Sequence, residues 1–214
     1  MTNISKRLLS VADFISKEDE LVDIGCDHGL LSIYLIENNL CKRVIASDIN
    51  QNALNNAIEN INKRNLNIKT VLSDGINNID LDNINSLIIS GMGTSTIAHI
   101  LEDKNKLNNI NKIIVQSNNN HDILRNNMNN IGYYLKDERV VKDKNKWYIT
   151  MLFIKSNKKN TKKEIEYGYL NNKDYNNYLL NKYLEIYNLI PESSINDKEV
   201  ALKKYNDLKR LIEG

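Results

Sequence analysis

One apolar run that ends in a glycine-bounded acidic turn constrains this chain more than any other segment. It reads Leu21-Val-Asp-Ile-Gly-Cys-Asp-His-Gly29 and leads directly into the helical pattern 30–37. A second apolar run, 43–48, ends in Asp48. Nucleotide-binding βαβ units place a carboxylate that holds the ribose diol roughly 20 positions after the first glycine of the turn. The pattern therefore predicts a β-strand, turn, helix and second strand that bind an adenosine-containing ligand.

The composition is that of a globular chain. It has 214 residues, of which 41% are hydrophobic, enough for one full domain and a small appendage. The sequence contains no apolar run of about 18 residues, and its start lacks the apolar core and cleavage site of a secretory signal. We therefore expect a cytoplasmic protein that does not contact a membrane, and we expect a monomer.

Cysteines, histidines and net charge exclude several classes of site. Cys26 and Cys41 give no disulfide framework, and the three histidines lie too far apart along the chain to form a metal-binding motif. We predict reduced thiols and no bound metal. The net charge of +2 is too small to argue for nucleic acid by itself. Two lysine-rich stretches, 136–146 and 155–163, fit a phosphate backbone and an ordinary solvated surface equally well.

Short β-rich runs alternate with amphipathic runs from residue 21 to residue 154. Helical spacing is evident over 50–63 and 94–101. This alternation is typical of a parallel sheet covered by helices. The four-residue link 142–145 is too short for a parallel crossover, so the strands on either side of it must form an antiparallel hairpin. The strands that we predict are 21–25, 43–48, 68–72, 86–90, 111–116, 133–141 and 146–154.

The predicted fold class is therefore α/β, with a Rossmann-like, mostly parallel sheet that finishes in an antiparallel hairpin. By fold-level analogy this architecture favours a methyltransferase over a dehydrogenase. We expect two units, a ligand-binding domain over residues 1–155 and a helical hairpin over 156–214. The hairpin either packs on the main domain or helps to hold a large substrate.

Apolar and aromatic residues at steps of three and four predict the two helices of the C-terminal hairpin. Pro191 should end the first helix, and Asn196 with Glu199 has the spacing of a capping box that starts the second. The seam residues that we predict are Tyr175, Leu179, Tyr183, Ile186 and Ile190 on the first helix, and Ala201, Tyr205, Leu208 and Ile212 on the second.

The first turn disfavours a phosphate ligand. Gly25 and Gly29 permit a sharp bend, but they do not form the G-x-G-x-x-G pattern of dinucleotide sites. Asp23 and Asp27 would repel phosphate and suit an amino group or a sulfonium. S-adenosylmethionine carries both cations and no phosphate, which makes it the predicted ligand. Asp23 alternatively accepts hydrogen bonds from the N–H groups of the turn.

Two further strand ends carry carboxylates. Asp48 is predicted to accept the ribose hydroxyls, and the alternative is a helix N-terminal partner. Asp74, followed by Gly75, is predicted to accept a hydrogen bond from the adenine amino group, and the alternative is a plain Asp-Gly turn.

The fourth and fifth strands end in Ser90-Gly-Met-Gly-Thr94 and Gln116-Ser-Asn118. Met92 is able to cover an adenine or a methyl-bearing face, and the polar loop is able to contact a base or to cap a helix. His99 is predicted to be a partly buried structural residue, and His121 to lie on the surface of a first helical turn.

Taken in order, these motifs resemble the bacterial tRNA (adenine-N1)-methyltransferases that act at position 22 of tRNA. The resemblance rests on Ser5-Lys-Arg-Leu8, the 23–29 turn, Ser73-Asp-Gly75, Ser90-Gly-Met-Gly-Thr94, His99-Ile-Leu101 and Gln116-Ser-Asn118, and it extends into the C-terminal hairpin. It implies a class I methyltransferase domain and methyl transfer from S-adenosylmethionine to N1 of adenine in tRNA. Thr94 and Ser117 depart from the family pattern, which usually has a glycine and a proline there.

We predict catalytic roles for Asp27, which would stabilise charge on the adenine, and for His28, Asn118 and Arg7, which would orient the base or hold the N-terminal segment. The alternatives are a methyltransferase for a small molecule or a protein and a non-catalytic tRNA-binding module; a nicotinamide dehydrogenase is disfavoured. The predicted cofactor-binding residues are Asp23, Gly25, Asp27, Gly29, Asp48, Ile49, Asp74, Gly75, Gly91 and Met92.

Overall fold

A computed structural model describes residues 2–213 of the chain. Its centre is a seven-stranded sheet in the order β3-β2-β1-β4-β5-β7-β6, in which only β7 runs antiparallel to its neighbours. The strands are β1 (Glu20–Ile24), β2 (Arg43–Asp48), β3 (Lys69–Leu72), β4 (Ser86–Met92), β5 (Lys112–Ser117), β6 (Tyr133–Asp143) and β7 (Lys146–Lys155).

Eight α-helices and one 3-10 turn over Lys104–Leu107 complete the part of the chain that the structure describes. None of these helices is both long enough and apolar enough to cross a bilayer. The helices are α1 (Lys6–Ala12), α2 (Leu30–Glu37), α3 (Gln51–Asn62), α4 (Thr94–Ile100), α5 (His121–Asn130), α6 (Lys162–Tyr167), α7 (Lys173–Leu189) and α8 (Ile195–Glu213).

The central strands bury both of their faces, which explains their continuous apolar sequence. On β4, Leu87 and Ile89 point into one core cluster, while Ile88 between them points into another. The first cluster includes residues of α4, α5, α7 and α8, and the second includes residues of α1, α2 and α3. This two-sided core fixes the sheet edge at which the parallel strands end.

All seven predicted strands are confirmed, with ends that differ by one or two residues. The tip of the β6–β7 hairpin is a two-residue turn in which Lys144 and Asn145 both have positive φ, of 44° and 65°. Positive φ at both central residues is the type I′ geometry that matches the twist of a hairpin. β4 continues two residues beyond its predicted end, through an irregularity between Ser90 and Met92.

The structure corrects three expectations about helices. α1 and α6 were not predicted, and α6 begins with the capping box of Thr161 and Glu164. The capping box predicted at Asn196 is wrong because α8 begins at Ile195, which places Asn196 inside the first turn. The predicted stop is confirmed, since α7 ends at Leu189, two residues before Pro191.

The seam of the C-terminal hairpin is closed only in part. α7 and α8 pack on each other, and Tyr175, Leu179, Ala201 and Leu208 are buried. Ile186, however, is 40% exposed, so the predicted seam does not extend along the whole of α7. Tyr175, Leu179 and Leu208 belong to the core cluster that also contains residues of the sheet.

A buried polar network fastens α7 to the sheet domain. The Arg125 guanidinium on α5 donates to Glu138 Oε1 on β6 at 2.9 Å and to the Tyr175 hydroxyl on α7 at 2.6 Å. The Tyr175 hydroxyl in turn donates to the Tyr167 carbonyl at 3.0 Å. Glu138 and Tyr175 have no exposed surface, and Arg125 is 2% exposed. The hairpin is thus anchored to the main domain by a desolvated ion pair.

Glu138→Gln should destabilise the fold by about 3–5 kcal/mol, because it leaves the Arg125 charge buried without its counter-ion. Urea unfolding followed by circular dichroism measures the effect. The matched control is Glu59→Gln, which breaks the exposed ion pair of Glu59 with Lys63 and should leave the unfolding midpoint almost unchanged. Equal midpoints for the two variants would contradict a stabilising role for the network.

Candidate active site

A cavity of about 590 Å³ opens at the carboxyl ends of β1, β2 and β4, beside the loop that follows β3. Ligands of open α/β sheets bind at this edge, and the volume lies within the range of small-molecule sites. Most of the predicted site residues line it, namely Arg7, Asp23, Gly25, Asp27, His28, Asp48, Ile49, Asp74, Gly75, Gly91 and Met92. The structure therefore brings most of the predicted site residues together around one cavity.

The turn after β1 forms the floor of the cavity. Gly25 has φ of +74°, and a Cβ atom there would overlap Met92 Cε. Asp27 also has positive φ, of 51°, which is uncommon for a residue other than glycine. The backbone N–H groups of Gly25 and Cys26 both donate to the Ser47 carbonyl, at 2.8 and 2.9 Å. The positive φ therefore favours glycine at position 25, and any side chain there would have to displace the end of Met92.

Asp48 ties the ends of β1 and β2 together. Its Oδ2 accepts from the Asp27 N–H at 3.0 Å, and its Oδ1 accepts from the Asn50 N–H at 2.8 Å. A carboxylate has about four acceptor positions, so acceptor capacity remains on both oxygens. The two explanations of Asp48 are thus compatible, because it lines the cavity while it also holds the start of α3.

Asp23 is a buried carboxyl group in the wall of the cavity. Its side chain is 2% exposed and accepts from the Ser32 hydroxyl at 2.7 Å. Burial raises the pKa of Asp23 to about 6, against the opposing effect of the Ser32 hydrogen bond and with a further contribution from the Asp48 charge. A group that is costly to ionise without a partner is suited to a cationic ligand.

Asp27 and His28 lie at the mouth of the cavity. Their side chains are 73% and 52% exposed, and Asp27 Oδ1 is 3.7 Å from His28 Nε2. The Asn60 amide donates to the His28 carbonyl at 3.0 Å and so fixes the backbone of this turn to α3. The two side chains are accessible to a second substrate that approaches from solvent.

The prediction for His99 is wrong. Its side chain is 60% exposed, lies 3.3 Å from Glu102 and lines the cavity together with Thr96 of the same helix. Asp74 and Gly75 lie on the same side of the cavity, where the Ser73 hydroxyl donates to the Gly75 carbonyl at 3.0 Å. The helical spacing of apolar residues gave no sign of this, because the face of α4 that carries Thr96 and His99 lines the cavity rather than the core.

The N-terminal segment forms a wall that the sequence prediction largely missed. Arg7 Nη1 lies 3.5 Å from Gln116 Oε1 and would be 2.9 Å from a Cβ atom at Gly91. The backbone N–H of Arg7 donates to Asp143 at 3.3 Å. The sequence signal that could have revealed this segment was Ser5, whose side chain caps helix α1 by accepting a hydrogen bond from the Leu8 N–H. The missed wall residues are Asn3, Ile4, Ser5 and Leu8.

Two predicted site residues do not line the cavity. Gly29 is the N-cap of α2, and a Cβ atom there would lie 3.1 Å from Ala57 Cβ, so its role is to let α3 approach. Asn118 donates its side-chain amide to the Gly91 carbonyl at 2.9 Å and its N–H to the Met92 carbonyl at 3.0 Å. Asn118 therefore acts on the site by fixing the end of β4.

The two departures from the family pattern contact each other. Thr94 Oγ1 and Ser117 Oγ are 3.0 Å apart, both buried, and Thr94 also donates to the Asn119 carbonyl at 2.6 Å. His121 next to them is half-buried, with a ring nitrogen 3.1 Å from the Ser117 carbonyl. His121 begins helix α5, as predicted, but it is half-buried rather than fully on the surface, and this burial lowers its pKa to about 4.

The lysine-rich stretch 155–163 is partly engaged with the protein itself. Lys155 donates to the Leu107 and Asn108 carbonyls, and Lys159 donates to the Asn129 carbonyl. Lys158 donates to the Tyr134 hydroxyl at 2.7 Å. The Lys162 and Lys163 side chains are exposed. Much of this charge therefore has a structural role.

Asp23→Asn should stabilise the protein increasingly as the pH rises. A carboxyl group whose pKa rises from 3.8 to about 6 on folding makes the folded state lose stability between those two pH values. The variant has no such group. The difference in free energy of unfolding between the variant and the wild type should therefore be about 2–3 kcal/mol more favourable to the variant at pH 7 than at pH 4. Urea unfolding at both pH values tests this, with the exposed Asp82→Asn as control. If the stability difference between the variant and the wild type does not change with pH, the raised pKa of Asp23 is contradicted.

Comparisons with known proteins place the chain in a family. Residues 4–151 match a family model described as a methyltransferase domain. A Mycoplasma genitalium relative is 36% identical over 145 residues, and the tRNA (adenine(22)-N(1))-methyltransferase of Bacillus subtilis is 33% identical over 148 residues. The alignments cover 66% and 68% of this chain but 65% and 62% of those proteins, so the chain spans just under two thirds of the curated relatives it matches.

Solved structures extend the likeness to nearly the whole chain. The structure of M. capricolum TrmK, which is a complex with S-adenosyl-homocysteine, is 32% identical, with a TM-score of 0.79 over 98% of both chains. The B. subtilis M1A22 tRNA methyltransferase TrmK, at 24% identity and a TM-score of 0.77, has the same fold. This chain therefore belongs to the methyltransferase-domain family and, within it, groups with the TrmK proteins.

Proposed function

We propose that this protein transfers a methyl group from S-adenosylmethionine to N1 of adenine 22 in tRNA. The observation that carries the proposal is the single cavity that gathers Asp23, Asp48 and Asp74 from successive strand ends beside a turn without a phosphate-binding glycine pattern. Two relatives support the same activity: one is named tRNA (adenine(22)-N(1))-methyltransferase, and the other was solved with S-adenosyl-homocysteine, the cofactor product.

The residues of the cavity fit the methyl donor. Asp48 would accept the ribose hydroxyls, and Asp74 would accept from the adenine amino group. The buried Asp23 would face the donor's amino group, because a cation offsets the cost of ionising a buried carboxyl. Met92, whose methyl group lies directly against Gly25, would cover the flat or methyl-bearing part of the ligand. When bound, S-adenosylmethionine supplies an electrophilic methyl group on a sulfonium.

The chemistry demands little of the protein beyond positioning. N1 of adenine carries a lone pair that attacks a methyl group directly, so no strong base is needed. Alignment of the two reactants accounts for roughly 7–11 kcal/mol of barrier lowering in comparable intramolecular reactions. As N1 is methylated, the adenine becomes positively charged. Asp27 at the mouth would accept from the exocyclic amino group and stabilise this charge as it develops.

The other predicted residues would orient the base. His28 lies beside Asp27 at the mouth, and Arg7 forms the opposite wall next to Gly91. Asn118 would act as a positioning residue through the Gly91 and Met92 carbonyls. Because N1 lies on the pairing edge, the target nucleotide must be unpaired or flipped out before it reaches the cavity.

Asp27→Ala should abolish methyl transfer and leave tRNA binding nearly intact, because Asp27 stabilises charge that develops only during the reaction. The measurement is incorporation of labelled methyl groups into unmodified tRNA, alongside filter binding of the same tRNA. Asp82→Ala, which removes an exposed carboxylate outside the cavity, is the matched control and should keep full activity. Wild-type turnover by the Asp27 variant would remove this residue from the mechanism.

Mass spectrometry of the methylated tRNA tests the proposal as a whole. We expect one new methyl group, on N1 of adenine 22. Methylation of a small molecule or a protein with none on tRNA would favour a different methyltransferase of the same fold. Binding of tRNA without any incorporation would favour a non-catalytic module.

A further inference from the structure

A second groove lies between the tip of the β6–β7 hairpin and helix α7, on the face of the sheet away from α1. Its volume is about 690 Å³, and its lining includes Trp147 and Lys142 from the hairpin and Tyr178 and Lys182 from α7. None of these residues lines the cavity of the active site. The groove therefore needs an explanation of its own.

Trp147 is the most unusual residue of this groove. It is the only tryptophan of the chain, and it is 52% exposed. Its ring centroid lies 5.3 Å from that of Tyr178 at an interplanar angle of 51°, and Lys142 Nζ lies 5.5 Å from the ring. These neighbours hold the indole in place while half of its surface remains open to solvent. A fixed, open aromatic face is a stacking surface for a planar ring.

The polar lining suits a nucleobase. Asn177 and Asn181 are exposed on the same side of α7 as Tyr178, and their amides both donate and accept hydrogen bonds. Lys142 and Lys182 are balanced within the groove by Asp174 and Glu185. The groove itself is thus nearly neutral, which favours a base over a phosphate group.

The surroundings of the groove are positively charged, which suits the phosphate backbone of the RNA to which such a base belongs. Lys144 and Lys146 are exposed on the hairpin tip, next to Lys142 and Trp147. Positive charge along a rim beside an aromatic platform is the usual arrangement for single-stranded nucleic acid. The tip is also fixed to the active site, because Asp143 accepts from the Arg7 N–H in the cavity wall.

We propose that this groove, formed by Trp147, Tyr178, Lys142 and Lys182, binds an unpaired base of the RNA substrate by stacking on Trp147. The inference rests on the proposed tRNA activity and adds to it a second contact outside the methyl-transfer cavity. The base that binds here is a different nucleotide from the one that is methylated.

The sole tryptophan supplies a direct test with the wild-type protein. Tryptophan fluorescence is titrated with unmodified tRNA, with a single-stranded oligoadenylate of about eight nucleotides, with an RNA duplex without loops and with polyphosphate. Binding of each polyanion is followed separately by a competition assay with labelled RNA. We expect the tRNA and the oligoadenylate to quench the fluorescence, because their unpaired bases stack on the indole.

The duplex and polyphosphate separate stacking from charge. Both carry phosphate groups without accessible base faces, so they should compete for the protein and leave the fluorescence almost unchanged. Equal quenching by polyphosphate would overturn the proposal, because the signal would then report charge alone. The proposal also fails if neither tRNA nor the oligoadenylate quenches the fluorescence, whether or not they bind.

Variants provide an independent measurement. Trp147→Ala should weaken binding of the oligoadenylate roughly tenfold, and Trp147→Phe, which keeps an aromatic face, should retain most of the affinity. Leu189→Ala, at an 82% exposed apolar position on the same helix pair, is the control and should bind like the wild type. If the Trp147→Ala and Leu189→Ala variants bind the oligoadenylate with equal affinity, Trp147 has no part in RNA binding.

The failure of this proposal is distinguishable from the failure of the methyltransferase assignment. Methylated tRNA without quenching would reject the platform and retain the activity. Quenching by tRNA without any methylation would retain the platform as an RNA contact and reject the activity. Calorimetry with S-adenosylmethionine should give the same affinity for Trp147→Ala as for the wild type, because Trp147 lies outside that cavity.

Discussion

The active site depends on the carboxylate of Asp48. By accepting the N–H groups of Asp27 and Asn50, it joins the turn after β1 to the start of α3. This link adds to the hydrogen bonds of the Gly25 and Cys26 N–H groups with the Ser47 carbonyl, and it is the one that holds the Asp27 backbone itself. The buried Asp48 carboxylate thus both lines the cavity and helps to fix the position of its mouth.

Polar contacts between loops position the rest of the site. The end of β4 is held by Asn118, and the neighbouring loop is held by the buried contact between Thr94 and Ser117. These two residues differ from the usual family pattern at positions that face each other. Their hydroxyl groups lie 3.0 Å apart and provide a hydrogen bond between the start of α4 and the end of β5.

The sequence was sufficient to predict the sheet and most of the cavity, because both depend on local signals. Apolar runs gave the strands, and acidic or glycine-containing strand ends met at one edge by topology alone. The short helices α1 and α6 were missed because seven and six residues are too few to show a periodicity. The exposure of His99, and the positions of Gly29 and Asn118 outside the cavity lining, depend on which distant segments pack beside these residues, and one sequence carries no sign of that.

The order of the strands has a consequence for how the chain reaches its native state. Among the described residues 2–213, β7 is the last strand, yet it lies between β5 and β6 and is the only strand that pairs with β6. As the polypeptide emerges from the ribosome, β6 must therefore wait for residues 146–155 before it gains any backbone partner. The parallel core can assemble earlier, whereas this edge of the sheet, and helices α6, α7 and α8 that follow it, can join only after β7 has been synthesised.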